Sequence, residues 1–293
     1  MTRAMPDRHS SLHRLKPILA VVMAALMVFA IARPAKAAGQ GYEALFDAMR
    51  LDEMVEVLAS EGRSVSPDFE AQGSMIPRAA WAAMLNALYR DDTMKDAFQA
   101  ELTAALEGAD IVPMIAFFES PLGMKVSTLE LDARRAMSGD DARDMAAQAW
   151  AEIDPDSTRA RLIEDYVEVY DMVEMNVAGA MTSDYAYLSA LSQGGAGEEQ
   201  GLLSDEDILR EIWAYEGDVR AEVSEWVYGF STLAYEPLSD DEFEELLAFA
   251  RTPAGQKLNY ALFAAFDAVY TDISRALGAG TAQLLSQFDG EEL

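Results

Sequence analysis

Apolar residues recur at steps of three and four along almost the whole of this chain, and no run of alternating β-branched residues interrupts them. That period places one apolar stripe on each α-helix, so the fold class it predicts is all-α. LDEMVEVLASEG puts Leu51, Met54, Val55 and Leu58 on one face, with Gly62 as the expected stop. The same spacing runs through residues 77–89, 94–108 and 160–181. Ser239 with Glu242 three positions on reads as a capping box, and Ser204 with Asp207 as a weaker one. The acidic first turns at both starts also suit the helix dipole.

Mixtures of Pro, Gly and polar residues break the pattern at 64–74, 153–157 and 192–201. The middle break divides the chain into comparable portions. The expected organisation is a signal peptide over residues 1–37, one helical half over 38–153 and a second over 154–293.

The signal peptide is read from order. Arg3, Arg8, Arg14 and Lys16 precede the apolar run from Ile18 to Ala32, and an Ala-x-Ala site follows at Ala35–Ala37. The apolar core is short for a membrane span. Cleavage after Ala37 predicts a periplasmic or secreted protein with no later transmembrane segment; the other reading is an uncleaved anchor.

Removing those residues sharpens the composition. They hold six of the 22 basic residues, one of the 51 acidic ones and both histidines, leaving 16 basic against 50 acidic groups, a net charge of −34, with no His and no Cys. Without imidazole or thiolate there is no ordinary Ser-His-Asp triad, no cysteine nucleophile, and no usual zinc, blue-copper or haem ligation. Nucleic acid and anionic lipid surfaces are disfavoured, because both are bound through Lys and Arg. Neither a cofactor nor a metal nor a catalytic residue is expected. Close carboxylate pairs arise by chance in so acidic a chain, calcium-loop spacing is missing, no remaining lysine has a serine three positions before it, and Met172 and Met175 fit a core stripe.

One punctuation occurs twice. AFFESPLGMKV, 116–126, and AFARTPAGQKL, 248–258, align at a constant offset of 132, matching Phe117, Ser120, Pro121, Gly123 and Lys125 with Phe249, Thr252, Pro253, Gly255 and Lys257. The offset also superposes Trp81 on Trp213 and Phe98 on Phe230. Ser or Thr before Pro describes one helix ending and another beginning, with the hydroxyl as N-cap and proline where its missing N–H costs nothing. Phe243, Leu246, Leu247 and Ala250 form the inward stripe before the second bend; Leu258, Leu262, Phe266, Val269, Ile273 and Leu277 form it afterwards. A glycine in the first turn weakens a helix, so close approach of a neighbour is its expected purpose.

Lysine in that turn is not helped by the dipole, yet two of the three lysines beyond residue 37 occupy it. Each lysine is expected to lay its stem over apolar surface and meet a carboxylate. The alternative is an anion site formed with the free N–H groups of the capped turn.

An aromatic residue followed by Ser/Thr-Pro-x-Gly-x-Lys, after an acidic capped helix, resembles the bacterial envelope family called domain of unknown function 2059. The resemblance is closest over 239–277 and weaker over 110–137. Phe117 and Phe118 fit the family's aromatic pair, whereas Phe249 is followed by Ala250. It implies a helical exported protein and carries over no catalytic residue. The expected function is non-enzymatic binding of an envelope partner or an apolar ligand between helices, the alternative being a hydrolase or lyase using carboxylates or Lys125 and Lys257.

Overall fold

The computed structural model describes residues 39–65, 76–194 and 204–288, and every regular element among them is a helix. The expected signal peptide, 1–37, lies outside the described residues, as does most of the breaks at 64–74 and 192–201. No helix among the described residues is long and apolar enough to cross a membrane.

In chain order the helices are α1 (Gly39–Ala48), α2 (Leu51–Ser64), α3 (Arg78–Leu88), α4 (Asp91–Ala105), α5 (Val112–Phe118), α6 (Pro121–Ala136) and α7 (Asp140–Glu152). After the break at 153–157 come α8 (Thr158–Val169), α9 (Met172–Gln193), α10 (Asp205–Ala214), α11 (Glu216–Tyr235), α12 (Asp240–Ala250) and α13 (Pro253–Phe288). Both expected capping boxes form: each serine hydroxyl accepts from the N–H three residues on, and the acid at that position accepts from the serine's own N–H. The stripes around the second bend face inward as expected, from Phe243 to Leu277.

Two local expectations fail for identifiable reasons. Gly62 does not stop its helix, which runs on to Ser64; a Cβ there would lie 2.2 Å from the Tyr89 ring, so the glycine serves close packing on α3. Residues 160–181 are two helices rather than one, because Asp171 turns left-handed at φ 50°. Asn259 Nδ2 donates to Tyr170 O at 3.0 Å and satisfies the carbonyl exposed by that joint.

The series on either side of residues 153–157 runs alike. Each begins with two helices joined at a left-handed residue, Arg50 (φ 56°) between α1 and α2 and Asp171 between α8 and α9. Two more helices follow, then a helix, a capped bend and a helix. Ser127, seven residues past the first cap, lies with its Oγ 3.3 Å from Ala48 O at the first joint; Asn259, seven past the second, reaches the second joint.

The helices pack by exchange. α4 lies against α13, while α11 lies against α6 and α7. Phe98 of α4 meets Phe266 of α13 edge-on, ring centres 4.4 Å apart. One continuous core results, running from Leu45 through Phe98 and Tyr235 to Leu277. Its broadest contact is between α9 and α13; at about 1.5 Å per residue the latter is a spine of about 54 Å.

Candidate functional site

Both bends have the geometry that their residue types demand. Ser120 Oγ accepts from Gly123 N at 3.0 Å, and Thr252 Oγ1 accepts from Gly255 N at the same distance. Pro121 and Pro253 open α6 and α13. The glycines meet the helix just ended: a Cβ on Gly123 would lie 2.0 Å from Phe117 O, and one on Gly255 2.3 Å from Phe249 O. Each bend therefore folds its new helix so tightly onto the old one that no side chain fits between them. The neighbour expected beside the glycine is the chain's own previous turn.

The bends face each other. Phe117 and Phe249, equivalent at the offset of 132, stack in parallel with ring centres 3.8 Å apart and planes 2° from coincidence; Phe118 closes on Phe249 edge-on at 5.9 Å. The tryptophans at the same offset do not share surroundings. Trp81 is buried and donates to Val65 O at 2.8 Å, whereas Trp213 is exposed.

The lysines differ as well. Lys125 Nζ donates to both carboxylate oxygens of Glu242, at 2.8 and 2.9 Å, in the manner expected of a lysine meeting a carboxylate. That hydrogen bond foremost, with the Ser239 N–H next, holds the Glu242 carboxyl down at about 2. Lys257 makes no ion pair among the described residues.

A break in likeness accounts for this. Glu242 stands in the first turn of α12, and its counterpart at the offset of 132 is Asp110, yet α5 begins only at Val112. The chain turns instead through Gly108 at φ 74°, and Asp110 Oδ1 accepts from Val112 N at 3.1 Å. Where the second bend would receive a turn of helix and an acid, a cleft of about 540 Å³ opens. Residues 107–110 with Pro113 and Met114 form one wall; Phe249, Thr252, Pro253, Ala254 and Lys257 form the other. Its lining is largely apolar, with Lys257 against two exposed acids, Glu107 and Asp110.

Directly behind the stacked phenylalanines lies a second, smaller cavity of about 50 Å³, bordered by residues of both bends and by Glu130, Tyr166 and Tyr170. Tyr235 OH donates to Glu130 Oε1 at 2.6 Å and lies 3.2 Å from Tyr166 OH. Burial pushes the Glu130 carboxyl up to about 7, against the opposing pull of the Tyr235 hydrogen bond. A second buried acid, Asp184 on α9, accepts from Tyr215 OH at 3.0 Å and is likewise raised to about 7 by burial. Sequence reasoning passed over both acids among many. Their signal was position, since Glu130 follows Leu122 and Val126 along the inward face of α6 and Asp184 follows Ala180 on that of α9.

Glu130 borders the small cavity and Asp184 is not among its lining residues, so the two raised carboxyls do not face each other across it. The cavity beside Glu130 has room for a water or two and no substrate. The 540 Å³ cleft is of small-molecule size, within the usual range of about 300–1,000 Å³.

Neither a curated protein nor a solved structure matches the chain. A family match covers the first bend and omits 239–277, the stretch expected to carry the closer resemblance. The segment from α4 to the end of α7, residues 92–152, is similar to the family described as uncharacterized protein conserved in bacteria, DUF2059.

Proposed function

We propose that this is an exported, non-enzymatic protein built of two related helical halves, and that it binds an apolar ligand in the cleft between the 107–114 turn and the start of α13. The cleft is the observation that carries this reading: a preformed concavity of about 540 Å³ with Pro113, Met114 and Phe249 in its apolar lining and a lysine without an internal partner among the described residues. Relatedness of the halves is supported by the matched caps, the matched glycine contacts and the Phe117–Phe249 stack. One of the two related bends is then closed by Lys125 and Glu242, while the other is left open to a ligand.

A neutral, environment-sensitive apolar dye such as Nile red tests the reading. The purified chain is expected to bind it at one saturable site, and Ala254→Trp, which places a large ring in the cleft, is expected to abolish binding while the cooperative thermal transition is retained. Equal dye binding by that variant would sink the assignment of the cleft. Mass spectrometry of material released from the protein taken from its own cells would then identify the natural ligand.

A further inference from the structure

The charges around the cleft narrow the ligand class, a step that rests on the cleft being the binding site. Lys257 stands on one wall with Phe249; Glu107 and Asp110 stand on the other with Ala109, Pro113 and Met114. The closed bend shows what a lysine in this place holds. Lys125, at the matching position, takes both oxygens of a carboxylate. The acid that would serve Lys257 in the same way, Asp110, is turned to the Val112 N–H instead. Lys257 therefore lacks a carboxylate that the local architecture can accommodate.

A ligand carrying only a negative group would gain Lys257 but meet two acids on a protein already strongly negative. A ligand carrying only a positive group would leave Lys257 against it. Charge complementarity with both walls, within a largely apolar lining, calls for a carboxylate at one end, an ammonium at the other and an apolar body.

We infer that the cleft takes a short apolar peptide with both termini free, its carboxylate on Lys257 and its ammonium towards Glu107 and Asp110. Backbone groups are at hand for such a ligand: at the start of α13 the Gly255 N–H is spent on Thr252, whereas Ala254, on the cleft wall, has the second N–H position of the helix, which lacks an intrahelical acceptor.

The test is displacement of Nile red from the purified chain by trileucine with free termini, by its N-acetylated form, by its C-amidated form and by a short-chain zwitterionic phospholipid kept below its micelle-forming concentration. Free trileucine is expected to displace best, with each blocked form weaker by about tenfold. Lys257→Met is expected to erase the difference between the free and amidated peptides, each measured against that variant's own dye affinity. Glu107→Gln with Asp110→Asn, which leaves an oxygen to accept from Val112 N–H, is expected to erase the difference between the free and acetylated ones. If the dye binds in the cleft but free and blocked peptides compete equally, the peptide assignment is overturned and the apolar site stands. Stronger displacement by the phospholipid than by trileucine overturns it in favour of a lipid headgroup. If the dye does not bind at all, the site and the peptide fall together.

Discussion

Glu130 gives this protein a pH dependence opposite in sign to that of an ordinary paired carboxylate. The perturbation is Glu130→Gln, which keeps a carbonyl oxygen for the Tyr235 O–H and removes ionisation. In the unfolded chain the carboxyl loses its proton near 4.5, whereas burial in the fold raises it to about 7. Between those values the folded state holds a proton that the unfolded state has released, so stability is greatest below 4.5, falls as pH rises through the window, and bears the full cost above 7. At about 1.4 kcal/mol per tenfold change that displacement is worth about 3 kcal/mol at most, because the side chain keeps partial contact with solvent. The groups facing the carboxyl across the small cavity are Tyr166 and Tyr170, with Tyr235 bonded to it; among the described residues no Lys, Arg or Asp borders the space. Urea denaturation of both proteins from pH 4.5 to 8.5 reads the difference between them, in which the repulsion among the many surface acids largely cancels. The variant is expected to match the parent at the acid end and to exceed it by up to about 3 kcal/mol at the alkaline end. A difference that stays flat across this range, or a Glu130 carboxyl carbon titrating near 4.5 by NMR, would refute the reasoning.

Alanine at Gly123 or Gly255 should destabilise by about 2 kcal/mol despite its better helix propensity, since the new methyl meets a backbone carbonyl that cannot swing away; a neutral or stabilising result in chemical denaturation would contradict the bend geometry. Arg134, buried and paired with Glu61 at 2.5 Å, should cost about 3–5 kcal/mol when changed to Met, while Arg134→Met with Glu61→Met should cost much less, because no unpaired charge is then left inside. A double-mutant cycle on Phe117→Leu and Phe249→Leu should give a coupling of about 1 kcal/mol, and additivity would deny the stack between the two bends.

Local chemistry explains what was legible in the sequence. Ser120, Thr252, Ser204 and Ser239 act within three residues of themselves, and the stripe from Leu258 to Leu277 needs only a helical period, so cap and face are both written in short stretches. The joint at Asp171 was not legible, because the carbonyl that it exposes is satisfied by Asn259, far along the chain. Glu130 depends in the same way on Tyr235, and the contrast between Lys125 and Lys257 depends on where α5 and α12 begin. The cleft arises from one helical turn that is absent beside Lys257, and periodicity alone does not reveal a missing turn.

The crossing of α4 onto α13 sets an order of events. Phe98 has no ring to rest on until the ribosome has reached Phe266, and the helices made first cannot seal their interior before the last long one is complete. Such distant pairing slows folding, and a nascent stretch ending before residue 253 keeps greasy faces uncovered. Chaperones would thus have a long interval in which to hold this chain.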